Sequence, residues 1–236
     1  MFSTSAIADR GIDAVRERVL AFPHHPYGGP PDYIGAHAPF PVHTLRREQL
    51  YRLREGCLVL FHRLDSERRQ ILDILGPGRL LERAVADRLQ CEAMALAPTR
   101  LEPIEDRPVV VKRLAAENRD VLLARALGHL SRLGKQRASE RVAAALLDLH
   151  QQFAAPTQDE PGDGASFPLY LSRADLADWL GLTLETVSRC MSRFRRDGLI
   201  GFGADSLLVV RDSRALQEIA RGERVVASIY TPQPKG

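Results

Sequence analysis

Apolar and polar positions change their period along this chain, and the changes divide it. From residue 46 to 110 the apolar runs are short and closely spaced. Tyr51-Arg52-Leu53-Arg54 alternates, Gly56 interrupts, and Leu58-Val59-Leu60-Phe61 follows. A charged turn, Asp65-Ser66-Glu67-Arg68-Arg69, leads into Ile71-Leu72-Asp73-Ile74-Leu75, which Gly76-Pro77-Gly78 ends. Short apolar runs punctuated by Gly and Pro predict antiparallel strands in a barrel or roll.

From 111 to 155 the period turns helical. Leu123, Leu127 and Leu130 recur at i, i+4 and i+7, with Ala126 and Leu133 beside them. Arg119, Arg125 and Arg132 lie off that stripe. The pattern predicts a long helix with a narrow apolar seam, suited to packing on a second copy of itself; packing within its own chain is the alternative. A second helix is expected from about Gln136 to Phe153, with Ala138, Val142, Ala145, Leu146, Leu149 and Phe153 on its buried face. The stretch Pro156 to Pro168 reads as a loop by composition.

The segment from 156 to 236 carries the sharpest signals. Ser172-x-x-Asp175 resembles a capping box opening a helix over about Arg173 to Leu180. Gly181 breaks that helix, and Thr183 can cap a second one from Leu184 to about Asp197. Val187, Met191 and Phe194 then face the core, while Glu185, Ser188, Arg189 and Ser192 fall on the opposite side. Two short helices joined by a Gly-containing turn make a helix-turn-helix. Leu199 to Gly203 and Leu207 to Val210 read as a hairpin, or wing, and a last helix is expected from about Ser213 to Arg221. Arg189, Arg193, Arg195 and Arg196 stand against Glu185 and Asp197, which concentrates cations where a groove-reading helix needs them.

Residues 1–45 show no sustained period. Pro, Gly and His crowd the stretch from Phe22 to Phe40, which is expected to form a loop or extended arm. His24, His25, His37 and His43 fall near one another, but no Cys joins them and no helical His spacing appears, so no metal site is expected.

Composition narrows the class. The chain has 236 residues, 44% apolar and 27% charged, as in a soluble globular protein. No run of about 18 apolar residues suggests a membrane span, and the N-terminus lacks the apolar stretch of a signal peptide. Cys57, Cys91 and Cys190 are too few for a disulfide framework, which points to the cytoplasm. A net charge of +3 is mild, so the local distribution of charge is what matters. Neither GxGxxG nor a phosphate-cradling loop occurs. A metal-dependent barrel enzyme would need several His on adjacent strands, and His62 is the only one between Gln49 and Lys112. No enzymatic activity is expected.

The segment Leu171 to Ile200 resembles the DNA-binding signature of the CRP/FNR family of transcription regulators. Gly181-Leu182-Thr183-Leu184-Glu185-Thr186-Val187-Ser188-Arg189 is most like the FNR and FixK branches. Tyr51, Gly56 and Gly76-Pro77-Gly78 fit the family's roll more weakly. The resemblance implies an α+β chain. It would have an arm (1–45), a cyclic-nucleotide-binding-like antiparallel β-roll (46–110), a dimerisation helix with a following helix (111–155), and a winged helix-turn-helix (156–236). It implies a homodimer on double-stranded DNA, meeting through Leu123, Ala126, Leu127, Leu130 and Leu133. It further implies an activator-type regulator that contacts RNA polymerase, with activation or repression set by operator position, and control of low-oxygen or redox-linked genes. By position Glu185, Ser188 and Arg189 would read bases of a TTGAT-like palindrome, and Ser172, Arg173, Thr183, Thr186 and Arg193 would contact phosphates.

Departures from the family limit the cofactors. No cysteine precedes Cys57, so an iron–sulfur cluster is not expected. The roll lacks the Gly-Glu pair and the Arg that hold a cyclic nucleotide, so cyclic AMP is not expected either. Haem would fall to His62 or another His, but a lone His beside a strand reads as a structural or exposed residue. The alternative is a regulator gated by haem or a small molecule bound in the roll. Cys190, beside Arg189, is expected to be half-buried at the DNA boundary. There nearby cations could lower its pKa and oxidation would weaken binding.

Overall fold

A computed structural model describes residues 33–66, 68–154, 164–203 and 207–224. The roll consists of two four-stranded antiparallel sheets. The first runs in the order β1 (Tyr33–Ile34), β8 (Thr99–Pro103), β3 (Leu50–Glu55), β6 (Leu80–Glu82). The second runs β2 (Pro39–Phe40), β7 (Glu92–Ala95), β4 (Leu58–Arg63), β5 (Arg69–Leu75). Ile34, Phe40, Tyr51, Leu53, Leu58, Leu60, Leu75, Leu81 and Leu101 pack together between them.

The roll begins earlier than residue 46. Tyr33 pairs with Arg100 and Pro39 with Met94, so residues 33–45 belong to the roll and the expected arm is shorter at its C-terminal end. Strands of two residues carry no period, which is why composition alone read them as loop. His37 lies between them in a left-handed turn; His24 and His25, with residues 1–32, lie outside the described residues. A short helix, α1 (Arg83–Leu89), interrupts the strands where none was expected.

The unbroken apolar run of β4 has a two-sided cause. Leu58 and Leu60 point into the roll. Val59 and Phe61, with Cys57, Ile71 and Ile74, join a second core that continues into the C-terminal part of the chain. A strand buried on both faces loses its polar alternation. Gly56 makes the tight turn into it, with φ of 91° and no room for a side chain: a Cβ would lie 2.3 Å from the Pro98 carbonyl oxygen.

Two helices follow. The first, α2 (Pro108–Lys135), has Pro in its first turn, where the missing N–H costs nothing. The second, α3 (Ala138–Phe153), starts after a joint of two residues, Gln136 and Arg137. Val142, Ala143, Ala145, Leu146 and Leu149 on α3 are buried in the second core. Helix α2 buries only Ala115 and Asn118 along its 28 residues.

The last unit comprises β9 (Ser166–Pro168), α4 (Arg173–Leu180), α5 (Leu184–Arg196), β10 (Ile200–Phe202), β11 (Leu207–Val210) and α6 (Ser213–Ala220). Its sheet runs β10-β11-β9, all antiparallel. Strand β9 falls at the end of the expected loop; it is three residues long and is held by one fully buried side chain, Phe167. Residues 156–163 of that loop lie outside the described residues, as do residues 204–206.

Candidate nucleic-acid interface

Local rules build the two helices. The Ser172 hydroxyl accepts from the Asp175 N–H at 3.1 Å, and the Asp175 carboxylate accepts from the Ser172 N–H at 2.8 Å. This reciprocal box opens α4 with Asp where Glu is usual. Gly181 closes α4 in the left-handed region, at φ 59°. Thr183 then caps α5, accepting from the Thr186 N–H at 3.2 Å. Val187, Met191 and Phe194 are buried as expected.

The opposite face of α5 carries the candidate base-reading residues. Glu185 and Arg189 are exposed and ion-paired across one helical turn, at 2.5 Å. Ser188 lies half-buried between their turns, and Ser192 is exposed. The Thr183 and Thr186 hydroxyls meet at 2.8 Å at the helix N-terminus, where backbone N–H groups and the helix dipole favour anions. Arg193 is paired with Asp197 at 2.7 Å. Arg173 lies apart from this row: its guanidinium stacks over the Phe202 ring of the wing, 5.3 Å from the centroid. Burial lowers the Arg173 pKa. The surface also includes Leu184, which the sequence reading passed over and which is 54% exposed next to Glu185; Arg195 and Arg196, expected from the sequence to add charge, are exposed at the other end of the helix. An apolar residue in the first turn, outside the buried stripe, was the available signal for Leu184.

Cys190 does not lie at the DNA boundary. It is fully buried in the core with Val187 and Met191, and burial pushes its thiol up to about 11. The buried stripe of α5 is wide enough to take in position 190, one turn from 187. The environment therefore disfavours the thiolate, opposite to the activation expected from nearby cations.

The unit is anchored to the roll. Arg69 on β5 ion-pairs with Asp175 and, at 2.9 Å, with Asp178 of α4. The Gln70 side-chain amide donates to the Asp178 carbonyl at 2.7 Å. Trp179, the only Trp, is 3% exposed and stacks on His129 of α2, with ring centroids 5.9 Å apart.

Cofactor chemistry has little to build on. The cysteines are scattered, Cys57 just before β4, Cys91 just before β7 and Cys190 on α5, the first and last in apolar cores and Cys91 partly buried, and burial raises the pKa of each thiol; they do not fit a four-thiolate cluster. His62 is tied to the Leu89 carbonyl at 2.5 Å. No cluster of His, Cys, Asp and Glu suited to a metal occurs among the described residues. A cavity of about 570 Å³ does lie between β5, α1 and α2. It is mainly apolar, with Asp73, Arg125 and Asp148 in its wall.

A helix-turn-helix with a three-stranded wing, joined to a β-roll by a long helix, defines a DNA-binding transcription regulator. Known proteins agree. The pattern of the Crp-like helix-turn-helix domain matches residues 140–219. The nitrogen fixation regulation protein FixK of Bradyrhizobium diazoefficiens is 34% identical over 169 residues, 67% of this chain and 69% of that protein. The transcriptional activator protein FnrL of Cereibacter sphaeroides is 34% identical over 173 residues, 69% of each chain. The solved structure of FixK2 from Bradyrhizobium japonicum superposes with a TM-score of 0.59 at 27% identity, covering 78% of this chain and 90% of that one. The chain belongs to the CRP/FNR family of transcription regulators, in its FNR/FixK branch.

Proposed function

We propose that the protein acts as a homodimer reading a TTGAT-like palindrome through Glu185, Ser188 and Arg189, without a bound cofactor. The observation that carries this reading is the exposed row on the first two turns of α5, backed by a fully buried stripe. Arg189 can donate twice to guanine O6 and N7, and Glu185 can accept from cytosine N4 once the pair between them opens onto one G·C pair. Ser188 addresses a neighbouring adenine or thymine edge, and Leu184 suits a thymine methyl. Ser172, Thr183 and Thr186 contact phosphates through hydroxyls and helix-end N–H groups; Arg193, Arg195 and Arg196 supply charge. Leu123, Leu127 and Leu130, all more than half exposed, form the seam with a second copy, which places two recognition helices on half-sites one helical turn apart. RNA polymerase is the partner through which such a regulator activates. The resemblance over residues 181–189 extends the proposal to low-oxygen or redox-linked genes.

The test is fluorescence anisotropy with a duplex carrying TTGAT-N4-ATCAA against a scrambled duplex, in reducing buffer with no ligand. Selective, salt-sensitive binding is expected. Equal binding to both duplexes would overturn the base-reading assignment. Selective binding that appears only with an added small molecule would favour an effector in the cavity between the roll and α2, whose volume suits one.

A further inference from the structure

The cavity wall holds an ion cluster that ties three parts of the chain together. Arg125 leaves α2 away from the leucine stripe. Its guanidinium reaches Asp73 on β5, with nitrogens 2.9 and 3.0 Å from one carboxylate oxygen. It also forms a fork with Asp148 on α3, at 2.7 and 3.1 Å. Asp73 is held further by Arg79 at 2.7 Å and by the Ile74 N–H at 2.9 Å. Asp148 accepts from the Gln152 amide at 2.8 Å, and the Gln152 oxygen accepts from the Gly76 N–H at 3.1 Å. The chain of contacts thus runs from the β5–β6 turn through α3 and α2 back to β5. Two carboxylates and two guanidiniums balance, and the Arg125, Asp73 and Asp148 side chains are at most about a quarter exposed.

The place of this cluster gives it leverage. Helix α3 belongs to the core of the DNA-binding unit, and only Gln136 and Arg137 separate it from α2. A two-residue joint leaves the angle between the helices open unless side chains set it. Arg125 holds both helices, and holds them to the roll. On the other side of the joint, Trp179 packs against His129, one turn along α2 from Arg125.

We infer that Arg125 is a positioning residue for DNA binding: its cation joins Asp73 and Asp148 and so fixes the winged unit against the roll and the dimer helix. The inference rests on the DNA-binding reading. Removing this cation takes the ion-pair partner from Asp148 and leaves Asp73 to Arg79 alone, so an uncompensated carboxylate remains in a partly buried site where the bridge between the units is gone.

Chemical rescue tests the assignment. Arg125→Ala leaves a hole sized for free guanidinium between the two carboxylates. Its affinity for the TTGAT duplex is expected to fall at least about tenfold, and the emission of Trp179 to shift to the red. Guanidinium chloride at about 10 mM is expected to restore both, sodium chloride at the same concentration to restore neither, and neither salt to change the wild type appreciably. Asp148→Asn, equal in shape, is expected to weaken binding and shift Trp179 in the same direction, and Arg125→Ala/Asp148→Asn to be refractory to rescue. Duplex binding within twofold of wild type in both single variants would overturn the inference. So would a loss that guanidinium leaves untouched in an Arg125→Ala protein that melts like the wild type. If Arg125→Ala does not fold, Asp148→Asn decides: weakened duplex binding with a red-shifted Trp179 supports the inference, and binding within twofold of wild type overturns it. The wild-type control keeps the two readings apart, since a wild type that does not select the duplex refutes the base-reading proposal rather than the role of Arg125.

Discussion

Helices α5 and α2 are both amphipathic, yet the structure treats their apolar stripes in opposite ways. In α5 the stripe of Val187, Cys190, Met191 and Phe194 is buried within the chain and the polar face is left outside. In α2 the stripe of Leu123, Leu127 and Leu130 is left outside, while Arg125, off the stripe, turns inward to Asp73 and Asp148. What remains exposed tells what each helix meets. A row of Glu, Ser, Thr and Arg at a capped helix N-terminus suits base edges and phosphates. Leucines at heptad-like spacing suit another apolar helix, because leaving them in water forgoes the burial that made the stripe worth keeping.

Substitutions separate the two stripes. Phe194→Ala removes a buried ring from α5 and is expected to cost about 3–5 kcal/mol in stability, lowering Tm by roughly 6–20 °C in a thermal melt. Leu127→Ala, at a residue 55% exposed within one chain, would sharpen the contrast by lowering Tm less, with a loss that depends on protein concentration because it acts through the dimer. Equal losses from the two substitutions would break it. Leu127→Glu places a charge in the α2 seam; light scattering is expected to show a monomer, and duplex affinity to fall about a hundredfold as the second half-site no longer adds its effective concentration. A dimer that survives this change would locate the interface elsewhere.

Smaller effects probe the outer face of α5. Arg189→Ala is expected to cost about 1–3 kcal/mol of duplex binding and to relax selectivity at one G·C pair, read by anisotropy on duplexes varied at that position. Arg195→Ala should instead weaken binding to all duplexes alike and flatten the salt dependence. The smallest signal is expected from Cys190. Burial raises its pKa to about 11, so at pH 8 only about one thiol in a thousand is ionised. Site-resolved alkylation of the folded protein at pH 8 is expected to be slow and to rise with pH in step with the thiolate. Fast labelling of Cys190 at pH 8, with peroxide loss of binding that Cys190→Ser removes, would restore the redox reading.

Much of the recognition unit was legible from residue order because its determinants are local. A Ser-x-x-Asp box, a left-handed Gly181, a Thr cap and an i, i+4, i+7 stripe each act within one or two helical turns. The roll was legible only in its three longest strands. Strands β1, β2 and β9 consist of two or three residues, too few to show a period, and are held by partners far along the chain, such as Tyr33 by Arg100. The burial of Cys190 was misread for a related reason: a helical wheel gives an angle, whereas the width of the buried stripe depends on what packs against it.

The sequence by itself determined the class of protein, its recognition helix and the leucine seam, because periodicity and capping are properties of neighbouring residues. Only the tertiary structure decided that β4 is buried on both faces, that Arg69 and Gln70 of the roll grip α4, and that Arg125 joins Asp73 to Asp148. Those contacts link positions 23 to 109 residues apart. Charge pairs at such separations leave no local pattern, and they form only when folding brings β5, α2, α3 and α4 around one joint.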